Sequence, residues 1–436
     1  MLEQVVKTRP LARTAPLAVV DSPSASKNEY AALKAIVKES GLLEPQVKYY
    51  AVKVAYTLAM FAAGVALVFL LQGWWRLLVA PYLAFVCAQL GFLAHDLGHK
   101  QVFPSTRLNN WAGMVLANLL VGMSLGWWND KHNAHHANPN HEDMDPDIDI
   151  PFMAFSEEQA SSKRGLSRMF AAYQAFLFFP ALTFTTYSMQ ISSALFTFRQ
   201  RYRWQSPDAA MLWAHFVLYY VGIPFVLGFW QGLAVIVVHR ALLGVFIGAV
   251  FAPNHKGMMV VGKEDEKLDF LRKQVLTARS VRSTPFIDFL YGGLNHQAAH
   301  HLFPSMPRNK LRNAAEITHR FCAEHNIPYH VTGVRQSFRE ILQSLHDTSA
   351  PLRGSARNGL QGAEARGQVR VCPRRGAGGR RRSAATNGAR YGGVELRVRV
   401  RRRRRPAVGA IEQAHAVSFA AVGRRPWRSQ ARAARL

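Results

Sequence analysis

The sequence predicts an all-α integral membrane protein, with four transmembrane helices in two hairpins, interfacial helices, and a cytosolic helical cap that holds a histidine-ligated di-metal centre. Three observations predict it. Of 436 residues, 49% are hydrophobic, and they gather in long runs free of charge. Lys and Arg accumulate beside only one set of run ends. The histidines, 17 in all, cluster at those same ends.

Residues 1–50 are polar and mixed, with a helical pattern around EYAALKAIVKESGLL, and read as a cytosolic N-terminal segment. No apolar core follows MLEQVVKTRPLARTAP closely, so no cleaved signal peptide is expected. The membrane domain is expected over residues 51–345. It opens with VAYTLAMFAAGVALVFLL (54–71), whose 18 uncharged residues cross a hydrocarbon core of about 30 Å at about 1.5 Å per residue. QGWWR supplies two interfacial tryptophans, and LLVAPYLAFVCAQLGFLA (77–94) returns and runs into HDLGH. A second pair spans 210–230 and 233–252, joined by Gln231 and Gly232 as a tight turn. Lys48, Lys53, Lys100, Arg107, Arg199, Arg201, Arg203, Lys256, Lys263, Lys267, Arg272 and Lys273 fall on the opposite side. By the positive-inside rule, both termini and the long segments are cytoplasmic.

Two apolar stretches are ambiguous, 111–128 and 169–196, the latter broken by Pro180. A single crossing by either would put the histidine clusters on its two sides on opposite membrane faces. Both are therefore read as interfacial or re-entrant helices.

The net charge of +27 suggests a nucleic-acid binder until it is divided along the chain. Residues 351–436 hold 22 Arg, no Lys, no Asp and 3 Glu, a net +19, which leaves +8 for the first 350. That remainder suits work at an anionic membrane surface. The stretch 346–436 reads as low-complexity tail, either disordered or a frameshifted translation of GC-rich DNA. Stacking aromatics are nearly absent from it, so no specific nucleic-acid partner is expected. Cys87, Cys322 and Cys372 are far apart and form no CxxC, which leaves no disulfide framework or zinc ribbon.

The chemistry lies in three histidine groups. HDLGH places His95 and His99 at i and i+4, on one helix face. HNAHH gives His132, His135 and His136 at i, i+3, i+4. HQAAHH repeats that spacing with Gln297, His300 and His301, and His296 sits one residue earlier. One such group is an ordinary polar surface motif. Three groups placed on one membrane face by topology form a ligand set. Imidazole suits Zn, Cu, Fe and Ni, and the lack of nearby cysteine argues against a structural zinc or a cluster. Seven to nine imidazoles suffice for two ions. No group offers the HExxH of a zinc hydrolase. Nitrogen-rich ligation of two irons fits oxygen activation, and imidazole alone leaves two zincs open.

The acids after HNAHH fail as a calcium loop, since Ile148 and Ala154 stand where an EF-hand needs Gly and Glu. Asp96, Asp143, Asp145 and Asp147 are instead the carboxylates available to accept the other N–H of ligating imidazoles, or to cap turns. His255 is a further ligand by position, at the same end of its span as His95 and His99. His215 is a weaker one. Arg240, beside His239 inside the fourth span, has no acid in the four spans to pair with and is expected to snorkel outward.

HDLGH, HNAHH followed by ANPNHEDMDPDI, and NHQAAHHLFP resemble the three histidine boxes of the membrane-bound fatty acid desaturase family. The resemblance covers about residues 50–340. Gln297 resembles the third box, QxxHH, of acyl-lipid, front-end members, although Ala298 and Ala299 replace the usual Ile-Glu. The resemblance implies two iron ions held by His95, His99, His132, His135, His136, His300 and His301, with Gln297 at the variable position. It implies O2 as co-substrate and a fatty acyl-CoA, acyl-carrier-protein or acyl-lipid substrate taken from membrane lipid surroundings. No HPGG-type domain is seen, so a separate ferredoxin- or cytochrome b5-type donor with its reductase is expected. The expected location is a bacterial plasma membrane. The competing readings are a hydroxylase on the same scaffold and a non-catalytic histidine-rich receptor or metal transporter.

Overall fold

The computed structural model describes residues 23–199, 206–262, 265 and 267–353. The expected Arg-rich tail from residue 354, and Arg201, Arg203 and Lys263 of the basic side, lie outside the described residues.

After α1 (Pro23–Glu39), α2 (Val47–Leu70) and α3 (Val79–Gly98) form the first hairpin. A 3-10 turn, Gly73–Leu78, joins them and leaves Trp74 and Trp75 exposed. A Cβ on Gly64 would lie 2.5 Å from Leu83 Cδ2, so the absence of a side chain there lets α2 and α3 close. α3 outruns the expected span and carries His95 on its last turn.

α4 (Thr106–Met114) continues as a π-helical stretch, Val115–Val121, and bends by 107° into α5 (Leu125–Ala137). His99 precedes this bent pair and His132 lies near its end, yet their Nε2 atoms are 3.0 Å apart. The segment therefore leaves one end of the bundle and returns to it, as topological parity requires. Gly122, at φ +83°, makes the reversal. The other ambiguous stretch follows α6 (Glu157–Ser162) and breaks into α7 (Gly165–Ala172), α8 (Gln174–Leu182) and α9 (Thr185–Arg199), none long enough to span. Phe176, Phe184 and Ile191 stay exposed along this stretch, as a lipid-facing surface requires.

The second hairpin starts at α10 (Pro207–Phe216), capped by Ser206 with Pro207 in the first turn. A π turn, Val217–Gly222, leads into α11 (Ile223–Leu227), and α12 (Phe229–His255) returns. The reversal falls at Gly228 rather than at Gln231–Gly232. Gly228 takes φ +85° and ψ 143°, a conformation that only glycine adopts at low cost. Gln231 and Gly232 lie inside α12, where Gly232 has another role: a Cβ there would meet Pro224 Cα at 2.4 Å. Among the described residues, four helices are thus long and apolar enough to cross a membrane.

The cap consists of α13 (Phe270–Leu276), α14 (Pro285–Leu290), α15 (Gln297–Leu302), α16 (Leu311–Glu324) and α17 (Val334–Thr348). A two-residue parallel pair, β1 (Ser280–Val281) with β2 (Val331–Thr332), ties it together. Its core joins Leu33 and Val37 of α1 to Leu271, Leu302, Leu311 and Phe321. Each fully buried leucine contributes about 1.5–3 kcal/mol. Ile341 and Leu345 of α17 pack with Phe178 and Leu182 of α8, so the cap is keyed to the bundle at the end where the histidines gather.

Candidate metal centre

Four elements deliver the histidines to one place. α3 ends with His95 and His99, α5 carries His132, His135 and His136, α12 ends in His255, and α15 presents Gln297, His300 and His301. α5 is held at its start by Ser124, whose hydroxyl accepts from Trp127 N. It is stopped by the NPN turn, in which Asn140 takes φ +53°. The Asn140 side chain donates to His255 O (2.9 Å) and Met259 O (3.1 Å), which locks the second histidine group to the end of α12.

Two clusters result. His95, His99, His132 and His300 form one, and His135, His255 and His301 the other; within each, the ligand atoms lie within 4.8 Å of one another. His136 sits between them, its Nε2 3.0 Å from His132 Nε2 and its ring stacked at 4.1 Å on His301. Trp128 stacks on His132 at 4.2 Å and meets His95 edge-on.

The protonation pattern of the second cluster follows from its partners. His135 Nδ1 is 2.9 Å from Asp145 Oδ2, His255 Nδ1 is 3.0 Å from Thr277 O, and His301 Nδ1 is 2.8 Å from Gln274 Oε1. Gln274 spends its amide N–H on His136 O (2.8 Å), so its oxygen is the atom turned toward His301. In all three, Nδ1 is directed at an oxygen acceptor, which turns Nε2 toward the interior of the cluster. Those Nε2 atoms face each other, 3.2 Å between His135 and His255 and 3.1 Å between His255 and His301. Together with the Gln297 amide nitrogen, 2.9 Å from His255 Nε2, they make a nitrogen-rich pocket able to hold a metal ion. In the first cluster His95 Nδ1 faces Asp96 Oδ1 (3.3 Å), and both ring nitrogens of buried His300 have no partner in the protein. Burial, reinforced by neighbouring imidazoles, holds His132, His136, His300 and His301 well below the usual imidazole range. Neutral, buried and convergent, these donors fit two nitrogen-ligated transition-metal ions.

Of the four acids, three reach histidines. Asp145 holds His135 and also accepts from Asn140 N (2.7 Å) and Asp147 N (2.8 Å). Asp147 approaches His135 Nδ1 at 3.5 Å and pairs with Lys131. Asp96 pairs with Arg308 as well as facing His95. Asp143 departs from expectation: its side chain is exposed, because the turn directs Asp145 inward instead. His296 departs too, since its Nε2 lies 3.3 Å from Asp288 Oδ1 and the residue belongs to neither cluster. It stands just before α15, and the helical spacing that aims Gln297, His300 and His301 inward leaves it outside. Gln297 is inward, its Nε2 2.9 Å from His255 Nε2.

His215 is remote from the clusters and binds Arg240 instead. Arg240 does not snorkel: it is buried, donating to Val121 O (2.9 Å) and to His215 Nε2 (2.7 Å), with its guanidinium 4.2 Å from the Tyr219 ring centre. A carbonyl, an imidazole and an aromatic face replace the missing acid. Asn140, Gln274, Thr277 and Arg308 support the site without having been read from the sequence. Gln274 had a signal, a polar residue between Leu271 and Val275 on the buried face of LRKQVL. Thr277 acts through its carbonyl and has none.

A narrow apolar cavity leads away from the first cluster. His95 and Trp128 line one end, Phe92, Ile247 and Phe251 its walls, and Gln190 and Arg240 the other end.

A polytopic helical bundle with two histidine clusters at one end, able to hold metal ions, and an apolar cavity beside them defines a class of helical membrane proteins with a histidine-lined centre. Within it, the chain belongs to the fatty acid desaturase family, whose family model, described as fatty acid desaturase, matches residues 44–333. It is similar to an acyl-lipid (9-3)-desaturase of Physcomitrium patens, 30% identical over 74% of this chain and 62% of that protein. It is similar also to the Delta(6)-fatty-acid desaturase fat-3 of Caenorhabditis elegans, 30% identical over 74% of this chain and 75% of the relative. A Borago officinalis acyl-lipid (9-3)-desaturase is 30% identical over 62% of this chain, which spans 63% of that relative. The chain thus covers less than two thirds of two of these relatives. All three organisms are eukaryotic, which gives no support to a bacterial plasma membrane.

Proposed function

We propose that this protein introduces a cis double bond into a fatty acyl chain, using O2 and two electrons from a separate ferredoxin- or cytochrome b5-type donor. The converging Nε2 atoms of His135, His255 and His301 carry the reading, because imidazole nitrogens turned toward one point form a ligand set for a transition-metal ion. One ion would be held by His95, His99, His132 and His300, the other by His135, His255 and His301, with His136 and Gln297 alongside. When bound, two irons supply the oxygen activation that removes hydrogen from an unactivated methylene, a bond too strong for acid–base chemistry.

The chain's own residues do the rest. Asp145, Thr277 O and Gln274 fix the ring orientations, and Asp96 does so for His95. Trp128, Phe92 and Phe251 line the approach to His95 with apolar surface, excluding water and holding one methylene beside the cluster. The desaturase domain is read as residues 51–345, with the cap and the clusters on the cytoplasmic side, where Lys48, Lys53, Lys100, Arg107 and Lys256 gather.

Expression in a host of known lipid profile, with a suitable donor supplied, tests this by gas chromatography with double-bond location. A new cis double bond that disappears in His135→Ala is expected. Identical fatty acid profiles for the two proteins would remove the proposal's main support, and a hydroxylated chain without a new double bond would replace it with the hydroxylase reading.

A further inference from the structure

Arg240 is the cation in the lining of a mostly apolar cavity. It lies within α12 and is 1% exposed, about 16 Å of helix rise from Phe251 near the metal clusters. Among the described residues no carboxylate pairs with it. Its guanidinium is held by Val121 O, by His215 Nε2 and over the Tyr219 ring, and His215 is itself fixed by donating from Nδ1 to Leu119 O (2.8 Å). Gly122, at the turn between α4 and α5, admits this assembly: a Cβ there would meet the His215 ring at 2.4 Å and Gln190 Nε2 at 2.6 Å. Two buried donors at this end, Arg240 Nε and Gln190 Nε2, have no partner in the protein. Tyr220 holds Gln190 by its oxygen, so the amide nitrogen is left over.

An apolar chain end satisfies neither donor, and pressing it against them keeps water or any other acceptor away. The opposite end of the same cavity is His95 of the first cluster. The distance from the reacting methylene to the methyl terminus is therefore bounded by a cationic floor rather than by an apolar plug. Resting on the desaturase reading, we propose that Arg240, positioned by His215 and Gly122 and flanked by Gln190, stops the methyl end of the acyl chain and sets the longest chain the cavity accepts.

The test uses the purified full-length protein and a ladder of fatty acids lengthened one carbon at a time at the methyl end. Two readouts are taken, the thermal stabilisation produced by each fatty acid and the fraction of each converted when a donor is supplied. Wild type is expected to show a sharp upper length limit in stabilisation. Gln190→Leu, which keeps the volume and removes the spare donor, and Arg240→Met, which removes the charge, are expected to move that limit up by one or two carbons. The ratio of long to short chain converted should rise about tenfold, the scale of one methylene in an apolar pocket. Absence of a length limit in wild type, or an unchanged limit in Gln190→Leu and in folded Arg240→Met, overturns the proposal. A protein that shows the limit in stabilisation yet makes no double bond in any chain overturns the desaturase reading while leaving the cationic floor supported.

Discussion

The Nδ1 of His135 lies 2.9 Å from Asp145 Oδ2, and this contact decides which nitrogen of the ring is free for a metal. Asp145 also accepts two backbone N–H groups, so it is pinned before it pins the histidine. Asp145→Asn keeps the shape and weakens the acceptor. Retained iron and product formation are expected to fall about 10–100-fold, the usual cost of losing such a partner. Asp143→Asn, at an exposed carboxylate, should change neither. Metal analysis of both purified variants beside wild type checks the pair.

His255 and His296 separate position from motif. His255 has no HxxxH neighbour, but its Nε2 lies near those of His135 and His301. His296 sits inside the third histidine group and bonds Asp288. His255→Ala is therefore expected to lose about half the iron and all detectable product, whereas His296→Ala should keep most of both. Gln297→His, which puts an imidazole beside His255, should remain active. Full iron in His255→Ala would show that the second cluster is not a metal site.

The spans and the three histidine groups were legible because each rests on local spacing: apolar runs of about 18 residues, and i, i+3, i+4 imidazoles on single helical turns. Parity then read 111–128 as interfacial or re-entrant rather than a single crossing, and the 3.0 Å contact between His99 and His132 agrees with it. Arg240 was misread because its partners are far away in sequence, a carbonyl freed by the bend after Val121 and an imidazole on α10. The hairpin turn was misplaced by a few residues because Gly228 and Gly232 look alike in sequence, while only the first takes a positive φ. Supports such as Thr277 O and the Asn140 turn use backbone atoms or long-range contacts that no residue pattern announces.

Arg308 braces the end of α3, beside His95, through a buried ion pair. It pairs with Asp96, next to His95, and also donates to Phe92 O, while Tyr50 lies 2.9 Å from the same carboxylate. Arg308→Met leaves a buried carboxylate without its cation. A loss of about 3–5 kcal/mol is expected, since stranding one member of a buried pair costs that much. Arg308→Lys should recover only part, because one ammonium cannot serve Asp96 and Phe92 O in the same fork geometry. Thermal inactivation midpoints in detergent should rank wild type, Lys, then Met; equal midpoints would contradict a stabilising ion pair.

Glu340 gives the cap an acid-sensitive anchor. Burial pushes its carboxyl up, but hydrogen bonds from His330 and Gln336 and the charge of Arg279 outweigh this and hold it below the usual glutamate range. Arg279 in turn donates to Pro253 O and Lys256 O at the end of α12. A depressed carboxylate stabilises the fold above its unfolded pKa, and that contribution is lost as pH falls through the folded value. Wild type should therefore lose stability on acidification more steeply than Glu340→Gln, which starts lower and is flatter. Parallel acid limbs in pH-dependent melting would exclude Glu340 as a contributor.

Gly244 and Gly91 distinguish packing from cavity. Alanine in a helix is normally favoured over glycine by about 1 kcal/mol. At Gly244, however, a Cβ would lie 2.6 Å from Leu182 O and 3.0 Å from Thr183 O, backbone atoms at the junction of α8 and α9 that cannot rotate aside. α12 must then move away from that junction, and Gly244→Ala is expected to lose about 1–3 kcal/mol in total, the range for an overpacked interior. At Gly91 nothing lies within 4 Å of the added methyl, so Gly91→Ala should melt at or slightly above wild type. Yet Gly91 lines the cavity beside His95, and the methyl narrows it. Product formation should fall in Gly91→Ala without any loss of stability. Melting and turnover measured on the same two preparations decide both points, and full activity in Gly91→Ala would place the acyl chain outside this cavity.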